Sequence, residues 1–92
     1  MKYDENPMSF DMDIALSMIA QMRSDAIRRK HATTDEKERE DITDEIRIYN
    51  TEEYVIYYYR DKEVRQSVFD KVFRFYGPIL REERKKALSK ST

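Results

Sequence analysis

The sequence predicts an all-α fold, a small bundle of three or four helices that forms one domain over residues 9–89, between a flexible leader at 1–8 and a frayed tail at 90–92. Apolar residues recur every three or four positions along most of the chain, which is the spacing of one helix face. The 92 residues include one glycine and two prolines, far fewer than the tight turns of a sheet protein need. Charged residues make up 40% of the chain, but seven tyrosines and four phenylalanines supply apolar surface for a core, which argues against disorder.

The first helix is predicted over residues 9–31. Its core-facing residues are spaced by three or four positions: Met12, Leu16, Ile19, Met22 and Ala26. Ser9 or Asp11 is predicted to cap the N-terminus, because a short side chain with an oxygen accepts hydrogen bonds from the free amides of a first turn. Basic residues close the helix, where they favour the negative end of its dipole.

The second helix is predicted over residues 34–59. Thr33 with Glu36 fits a capping box, and Thr34 is the alternative cap. The first two turns are almost wholly charged and are expected to be solvated. A narrow apolar stripe then follows at Ile42, Ile46 and Tyr49.

The middle of this second helix leaves two alternatives open. Asn50 with Glu53 either starts a new helix after a kink or lies inside one long helix. Residues 54–59 have the highest β-propensity in the chain. A lone strand is not stable, and no other segment is suited to pair with it, so helix is predicted there too.

Two further helices are predicted over residues 62–76 and 78–89. Asp61 is expected to cap the first of them. Gly77 follows the last apolar residue, where a left-handed C-cap is wanted, and Pro78 suits the first turn of a new helix. The apolar stripe of the first of these helices consists of Val64, Val68, Val72 and Phe75.

Charge and composition limit the classes of function. The formal net charge is −1, so the chain as a whole has no strong attraction for nucleic acid or for a membrane surface. Residues 34–53 are strongly acidic, whereas residues 21–33 and 54–92 are basic. There is no cysteine, no apolar run of the roughly 20 residues that cross a bilayer, and no signal-peptide pattern at the start. We therefore expect a cytoplasmic protein that does not bind membranes.

No residue pattern of a catalytic or metal site stands out. His31 is the sole histidine, and its neighbours at 28–30 are basic, so they supply no carboxylate to orient it as a general base. A zinc site would need further nitrogen or sulfur ligands. Carboxylates four residues apart, such as Asp41 and Glu45, are interleaved with bases and indicate a solvated face. A glycine-rich phosphate loop is absent from the sequence. We expect no enzymatic activity, no cofactor and no metal.

Residues 47–86 carry a series of features that resembles a known helical family. In order, these are Ile48-Tyr49-Asn50, Glu53, Asp61, a helix rich in phenylalanine and tyrosine, Pro78-Ile79 and Arg84. The series resembles the C-terminal half of a family of unknown function found in bacterial genomes and their mobile elements. There, an Asn followed three residues later by a Glu begins one helix and an Asp begins the next. Tyr59-Arg60 stand where the family has a glycine before that Asp. The resemblance implies a helical fold and a bacterial or phage setting, and it implies no activity.

Apolar residues in excess of one core face predict contact with another protein. Tyr57, Tyr58 and Tyr59 are consecutive, so on a helix they point about 100° apart and one core face cannot hold all three. Tyrosine is enriched among residues that dominate binding energy at interfaces. Met22 lies on the apolar face of the first helix and Met18 widens that face, and methionine adapts to partner surfaces. The alternative is that these side chains complete the core. We interpret the chain as a non-catalytic regulator, adaptor or inhibitor that binds another protein or a second copy of itself.

Two basic clusters favour a second interpretation, a nucleic-acid-binding regulator. They lie at residues 28–31 and 81–90. The candidate contact residues are Arg28, Arg29, Lys30, Arg81, Arg84, Lys85 and Lys86. Together they would follow a phosphate backbone while tyrosines stack on bases. Nucleic-acid-binding domains usually have a clear basic excess, so the protein-binding interpretation ranks first.

Overall fold

The computed structural model describes residues 7–90, with side chains for residues 11–89. In chain order the elements are α1 (Pro7–Ala32), α2 (Glu36–Tyr58), α3 (Lys62–Lys71), a π-helical segment (Val72–Tyr76) and α4 (Gly77–Lys90). Residues 7–90 contain no strand, so the predicted all-α bundle is confirmed. Residues 1–6 of the predicted leader and 91–92 of the predicted tail lie outside the described residues.

α1 begins earlier than the sequence analysis predicted. It starts at Pro7, so Ser9 and Asp11 lie inside the helix and their prediction as caps is wrong. Proline suits the first position of a helix, because its missing N–H would have no partner there and its φ is already helical. The predicted basic end is confirmed: the last turn holds Arg29, Lys30 and His31.

α1 and α2 form an antiparallel pair, which is the most extensive helix contact in the structure. Arg23 pairs with Glu53 at 2.9 Å, whereas Arg29, further along α1, pairs with Glu45, earlier in α2, at 2.7 Å. Residue numbers therefore rise on one helix as they fall on the other. The two ion pairs lie at the edges of the apolar seam between the helices.

The cap of α2 differs from the predicted one. Asp35 is the N-cap, and its carboxylate accepts a hydrogen bond from the Lys37 backbone N–H at 3.0 Å. Thr33 instead accepts from the Asp35 backbone N–H and donates to the Glu38 carboxylate, so the predicted capping roles of Thr33 and Thr34 are wrong. A carboxylate at this end also interacts favourably with the helix dipole, which a threonine hydroxyl does not match.

α2 is one helix from Glu36 to Tyr58. This settles the question left open at Asn50 in favour of the long helix. The Asn50 side chain does not cap anything; its oxygen accepts a hydrogen bond from Arg23 at 2.9 Å. Residues 54–58 are helical, as predicted, and Tyr59 ends the helix in an extended conformation.

α3, the π-helical segment and α4 form one continuous rod, the third of the bundle. It passes through Gly77 without the predicted break. Asp61 caps α3 as expected, accepting from the backbone N–H of Glu63 at 2.9 Å. Gly77, however, is right-handed, with φ −54° and ψ −54°, and its N–H donates to the Val72 carbonyl. A hydrogen bond to the carbonyl five residues earlier is the bond that defines a π-helical turn. A proline inside a helix clashes with the carbonyl four residues earlier, which is a physical reason for a wider turn directly before Pro78.

The core lies where the three rods meet. The buried apolar residues are Ala15, Ile19, Met22, Ala26, Ile42, Tyr49, Val55, Ile56, Phe69, Val72 and Tyr76. The sequence pattern placed Phe75 on the core stripe, but Phe75 is 56% exposed and Tyr76 is 6% exposed. Tyr76 continues the spacing of the buried Phe69 and Val72 at three and four residues, whereas Val64, on the predicted stripe with Phe75, is 37% exposed. The buried face of this rod is therefore rotated away from the predicted stripe already before the π-helical segment begins.

Candidate functional site

Four tyrosines lie together on the surface at the C-terminal end of α2. We call Tyr54, Tyr57, Tyr58 and Tyr59 the tyrosine cluster. Their exposed fractions are 57%, 54%, 68% and 45%, respectively. The ring centroids of Tyr54 and Tyr58 are 4.9 Å apart, those of Tyr57 and Tyr58 are 5.9 Å apart, and those of Tyr54 and Tyr59 are 6.5 Å apart. The rings therefore form one aromatic patch that also reaches water.

The position of the cluster follows from the helix period. Val55 and Ile56 are buried in the core, which fixes the orientation of the last turns of α2. Successive residues on a helix point about 100° apart. Because Val55 and Ile56 face the core, Tyr54, Tyr57 and Tyr58 point away from it. Tyr59 lies just past the helix, and its N–H donates to the Val55 carbonyl. All three consecutive tyrosines that the sequence singled out are thus exposed.

The two methionines predicted at the interface have different environments. Met22 is 8% exposed and belongs to the core, so its placement on a recognition surface is corrected: it packs inside the bundle. Met18 is partly exposed and lines a groove between α1 and α4. Neither methionine lies in the tyrosine cluster, so the structure divides the predicted contact residues between two places.

The groove between α1 and α4 has a volume of about 870 Å³. Its wall brings together three arginines from the two predicted basic clusters: Arg28, Arg81 and Arg84. The other basic candidates, Arg29, Lys30, Lys85 and Lys86, do not line it. Arg29 is turned towards α2, where it pairs with Glu45. Three carboxylates also line the groove, those of Asp13, Asp25 and Glu83, so its wall carries both signs of charge.

Two of these carboxylates interact directly. The Asp25 side chain raises the pKa of the Glu83 carboxyl, and partial desolvation adds to this effect. Arg28 forms an ion pair with Asp25 on the same helix. Because the acids neutralise part of the arginine charge, the groove is a mixed polar surface rather than a positive channel.

Glu52 is a buried carboxylate that was not among the predicted site residues. It is 6% exposed and accepts hydrogen bonds from the Tyr76 hydroxyl at 2.7 Å and from the Lys71 ammonium at 2.5 Å. Burial raises the pKa of the Tyr76 phenol, and the hydrogen bond to Glu52 adds to this effect. The signal was present: Glu52 lies three positions after Tyr49 and four before Ile56, on the apolar stripe of α2.

A second carboxylate–phenol pair lies beside the first. Tyr49 donates a hydrogen bond to Glu45, and its ring meets the Tyr76 ring edge-on at 5.6 Å. Burial raises the pKa of Tyr49, and the hydrogen bond to Glu45 raises it further. Hydrogen bonding from Arg29 is the main cause of a lowered pKa at Glu45, and the Tyr49 hydroxyl acts in the same direction. We call this set of side chains the buried network. Its centre is the buried Tyr49, Glu52 and Tyr76, and its more exposed rim is Arg29, Glu45 and Lys71.

The buried carboxylate of the buried network finds its hydrogen-bond partners within the chain. Glu52 has one phenol and one ammonium as partners, and a buried carboxylate with such partners is satisfied. Neither Glu52 nor Tyr76 lines the α1–α4 groove. Within the part of the chain that the structure describes, no group of three or more His, Asp or Glu side chains is placed to hold a metal ion. In the same residues, none of the helices combines the length and the apolar character needed to cross a bilayer.

Comparisons with known proteins return no matching family model, no matching curated protein and no matching solved structure. The resemblance of residues 47–86 to a helical bacterial family therefore stays a prediction. The candidate site rests on its own geometry, and the tyrosine cluster is the surface feature that stands out most clearly.

Proposed function

We propose that this chain is a non-catalytic protein–protein interaction module, a regulator, adaptor or inhibitor that binds its partner through the tyrosine cluster. The observation that carries the proposal is the exposure of four ring-to-ring tyrosines at the end of α2. Large apolar side chains are normally buried in a small bundle, and an exposed aromatic patch marks an interaction surface.

Tyrosine is well suited to this role on physical grounds. Its ring gives a large contact area with only two side-chain torsions to fix, so ordering it on binding costs little entropy. Its hydroxyl stays hydrated when the protein is free and can donate or accept a hydrogen bond in a complex. The cluster is held by a helix whose Val55 and Ile56 are anchored in the core, which pre-orders the rings before a partner arrives.

The test is affinity capture of the tagged chain from lysate of its native host, with and without nuclease, read by mass spectrometry. The wild type is compared with Tyr57→Ala/Tyr58→Ala and with Ile48→Ala, an exposed apolar residue on the same helix. We expect a partner protein that survives nuclease, is retained by Ile48→Ala and is lost with the tyrosine variant. A partner retained equally by all three proteins would contradict a role for the cluster.

The second candidate function is nucleic-acid binding, and the α1–α4 groove is the observation that favours it. The groove places Arg28 from the first basic cluster beside Arg81 and Arg84 from the second. Binding of this kind would weaken steeply with salt, because it depends on the release of counterions from phosphates. Capture that disappears with nuclease, and with the Arg84→Glu/Lys85→Glu variant, would favour this function over the first.

A further inference from the structure

We propose that the partner segment bound by the tyrosine cluster is basic and presents arginine side chains to the exposed rings. The inference rests on the proposed function and goes beyond it by naming the chemistry of the occupant. Three observations point to a cation: the rings, the end of the helix that holds them and the charges along the same helix face.

The rings themselves favour a cation. The face of a tyrosine ring carries partial negative charge and attracts an ammonium or guanidinium group within about 6 Å of its centroid. Within residues 11–89 this contact occurs once, with Lys71 placed 5.6 Å from the centroid of the Tyr76 ring. Among the side chains of residues 11–89, no cation lies over the rings of Tyr54, Tyr57, Tyr58 or Tyr59. Their faces are open to one from a partner.

The end of α2 favours a cation as well. The last carbonyls of a helix carry partial negative charge, and basic side chains in the last turn usually offset it. α1 follows this rule with Arg29, Lys30 and His31, whereas the last turn of α2 holds no basic residue. The cluster is therefore at a helix end where a partner's positive charge would be stabilised.

The charges along α2 extend the same preference. One face of the helix, at spacings of three and four residues, is exposed from end to end and consists of Glu36, Glu40, Asp44, Arg47, Thr51, Tyr54 and Tyr58. We call it the acidic–aromatic face; it is roughly 33 Å long at 1.5 Å per residue. Arg47 on this face is paired with Asp44 at 3.2 Å, so the remaining charge, at Glu36 and Glu40, is negative. A basic segment laid along this face would meet acids at one end and tyrosine rings at the other.

Arginine fits this face better than lysine does. Its planar guanidinium stacks on aromatic rings, is more weakly hydrated than an ammonium and still forms two parallel hydrogen bonds with a carboxylate. A segment with several arginines can therefore use both halves of the acidic–aromatic face with one residue type. Complementary charge would also speed encounter and select against acidic partners.

The test uses a matched pair of short fluorescent peptides, one of alternating arginine and serine and one with citrulline in place of arginine. Citrulline keeps the shape of the side chain and removes its charge. We expect the arginine peptide to bind the full chain and the citrulline peptide to bind at least about tenfold more weakly, from the loss of several ring–cation contacts. Amide chemical shifts on binding should change most at residues 54–59.

Two triple variants separate ring electrostatics from apolar contact. Tyr54→Phe/Tyr57→Phe/Tyr58→Phe keeps the ring faces and should bind the arginine peptide within about twofold of wild type. Tyr54→Leu/Tyr57→Leu/Tyr58→Leu keeps apolar bulk without a ring face and should bind on the order of tenfold more weakly. These side chains are exposed, and the helical circular dichroism of both variants is checked against wild type.

Other outcomes overturn the inference in recognisable ways. If the arginine and citrulline peptides bind with equal affinity, or if the two triple variants bind the arginine peptide equally well, positive charge on the partner does not contribute to binding at the rings. If the partner found by affinity capture is lost with Tyr57→Ala/Tyr58→Ala yet bound normally by the leucine variant, the proposed function stands and this inference fails. Self-association of the chain that requires Arg84 and Lys85 and shifts the same tyrosine amides would replace a separate partner with α4 of a second copy.

Discussion

Two regions of the molecule use tyrosine in opposite ways. In the buried network, Tyr49 and Tyr76 are almost fully covered, and each hydroxyl donates to a carboxylate. In the tyrosine cluster, the four rings lie against one another, and each side chain is between 45% and 68% exposed. The two regions share α2 and are only a few turns apart.

The contrast shows what a small bundle does with an excess of aromatic residues. A buried phenol needs a hydrogen-bond partner, since an unpaired buried hydroxyl is costly. The chain supplies one such partner, Glu52, from inside the apolar stripe, and the other, Glu45, from its edge. Val55 and Ile56 fill the core at the end of α2, so the later tyrosines are left on the surface. One region stabilises the fold, and the other is available for recognition.

Truncating the Tyr76 side chain is expected to have the largest effect on the free energy of unfolding. We expect Tyr76→Ala to lower the free energy of unfolding by about 3–5 kcal/mol, because removing a buried aromatic ring leaves a cavity. Tyr76→Phe keeps the ring and should cost about 1–3 kcal/mol, from the hydrogen bond lost to Glu52. Urea denaturation followed by circular dichroism measures both. A loss below about 1 kcal/mol for the alanine variant would contradict the burial of Tyr76.

Removing the ammonium partner of Glu52 should have the next largest effect. Lys71→Met keeps the length of the side chain and should cost about 1–2 kcal/mol, less than the 3–5 kcal/mol typical of breaking a fully buried pair, because the Lys71 side chain is 45% exposed. The Glu52→Gln/Lys71→Met double variant should lose less than the sum of the two single variants. Additive losses in the same denaturation experiment would mean that the two side chains are not coupled.

The helices and the place of Glu52 on the apolar stripe of α2 could be read from the sequence, whereas the pairing of side chains in the buried network could not. Apolar spacing and caps such as Asp61 are local signals, and they placed the rods to within a few residues. Gly77-Pro78 is also typical of a helix break, so the sequence does not distinguish such a break from the π-helical turn that the structure contains. The interaction of Glu52 with Tyr76 spans two rods and becomes visible only once those rods are placed. The exposure of Tyr57, Tyr58 and Tyr59 was predictable in part, since three consecutive tyrosines cannot share one face.

Alkaline pH should sharpen the comparison by acting on the buried phenols. Burial and hydrogen bonds to carboxylates raise the pKa values of Tyr49 and Tyr76 above the ordinary value of 10. In the unfolded chain these phenols ionise near pH 10, while the folded chain still holds their protons. The stability they contribute is therefore fully present below pH 10 and is lost as the pH rises above it.

The measurement is the urea midpoint as a function of pH, from neutral to above pH 10, with tyrosinate absorbance recorded on the same samples. We expect the midpoint of the wild type to fall in the alkaline range. The Tyr49→Phe/Tyr76→Phe variant has no buried phenol to ionise, so its midpoint should start lower and fall less steeply. Parallel pH profiles for the two proteins would show that the buried hydroxyls do not govern alkaline stability.

The smallest expected effect on stability is the most informative about function. Tyr58 is the most exposed ring of the tyrosine cluster, so Tyr58→Ala should change the free energy of unfolding by no more than about 0.5 kcal/mol. If the cluster is a binding surface, the same change should weaken partner binding by about 2 kcal/mol or more, as truncation of a central interface residue does. Tyr49→Phe should do the reverse, lowering stability while leaving the affinity for the partner unchanged.

Because one substitution is expected to act on binding alone and the other on folding alone, denaturation and binding measured on the same two variants separate the two roles of tyrosine. A loss of binding that instead follows the loss of stability in both variants would mean that the cluster acts only through the fold.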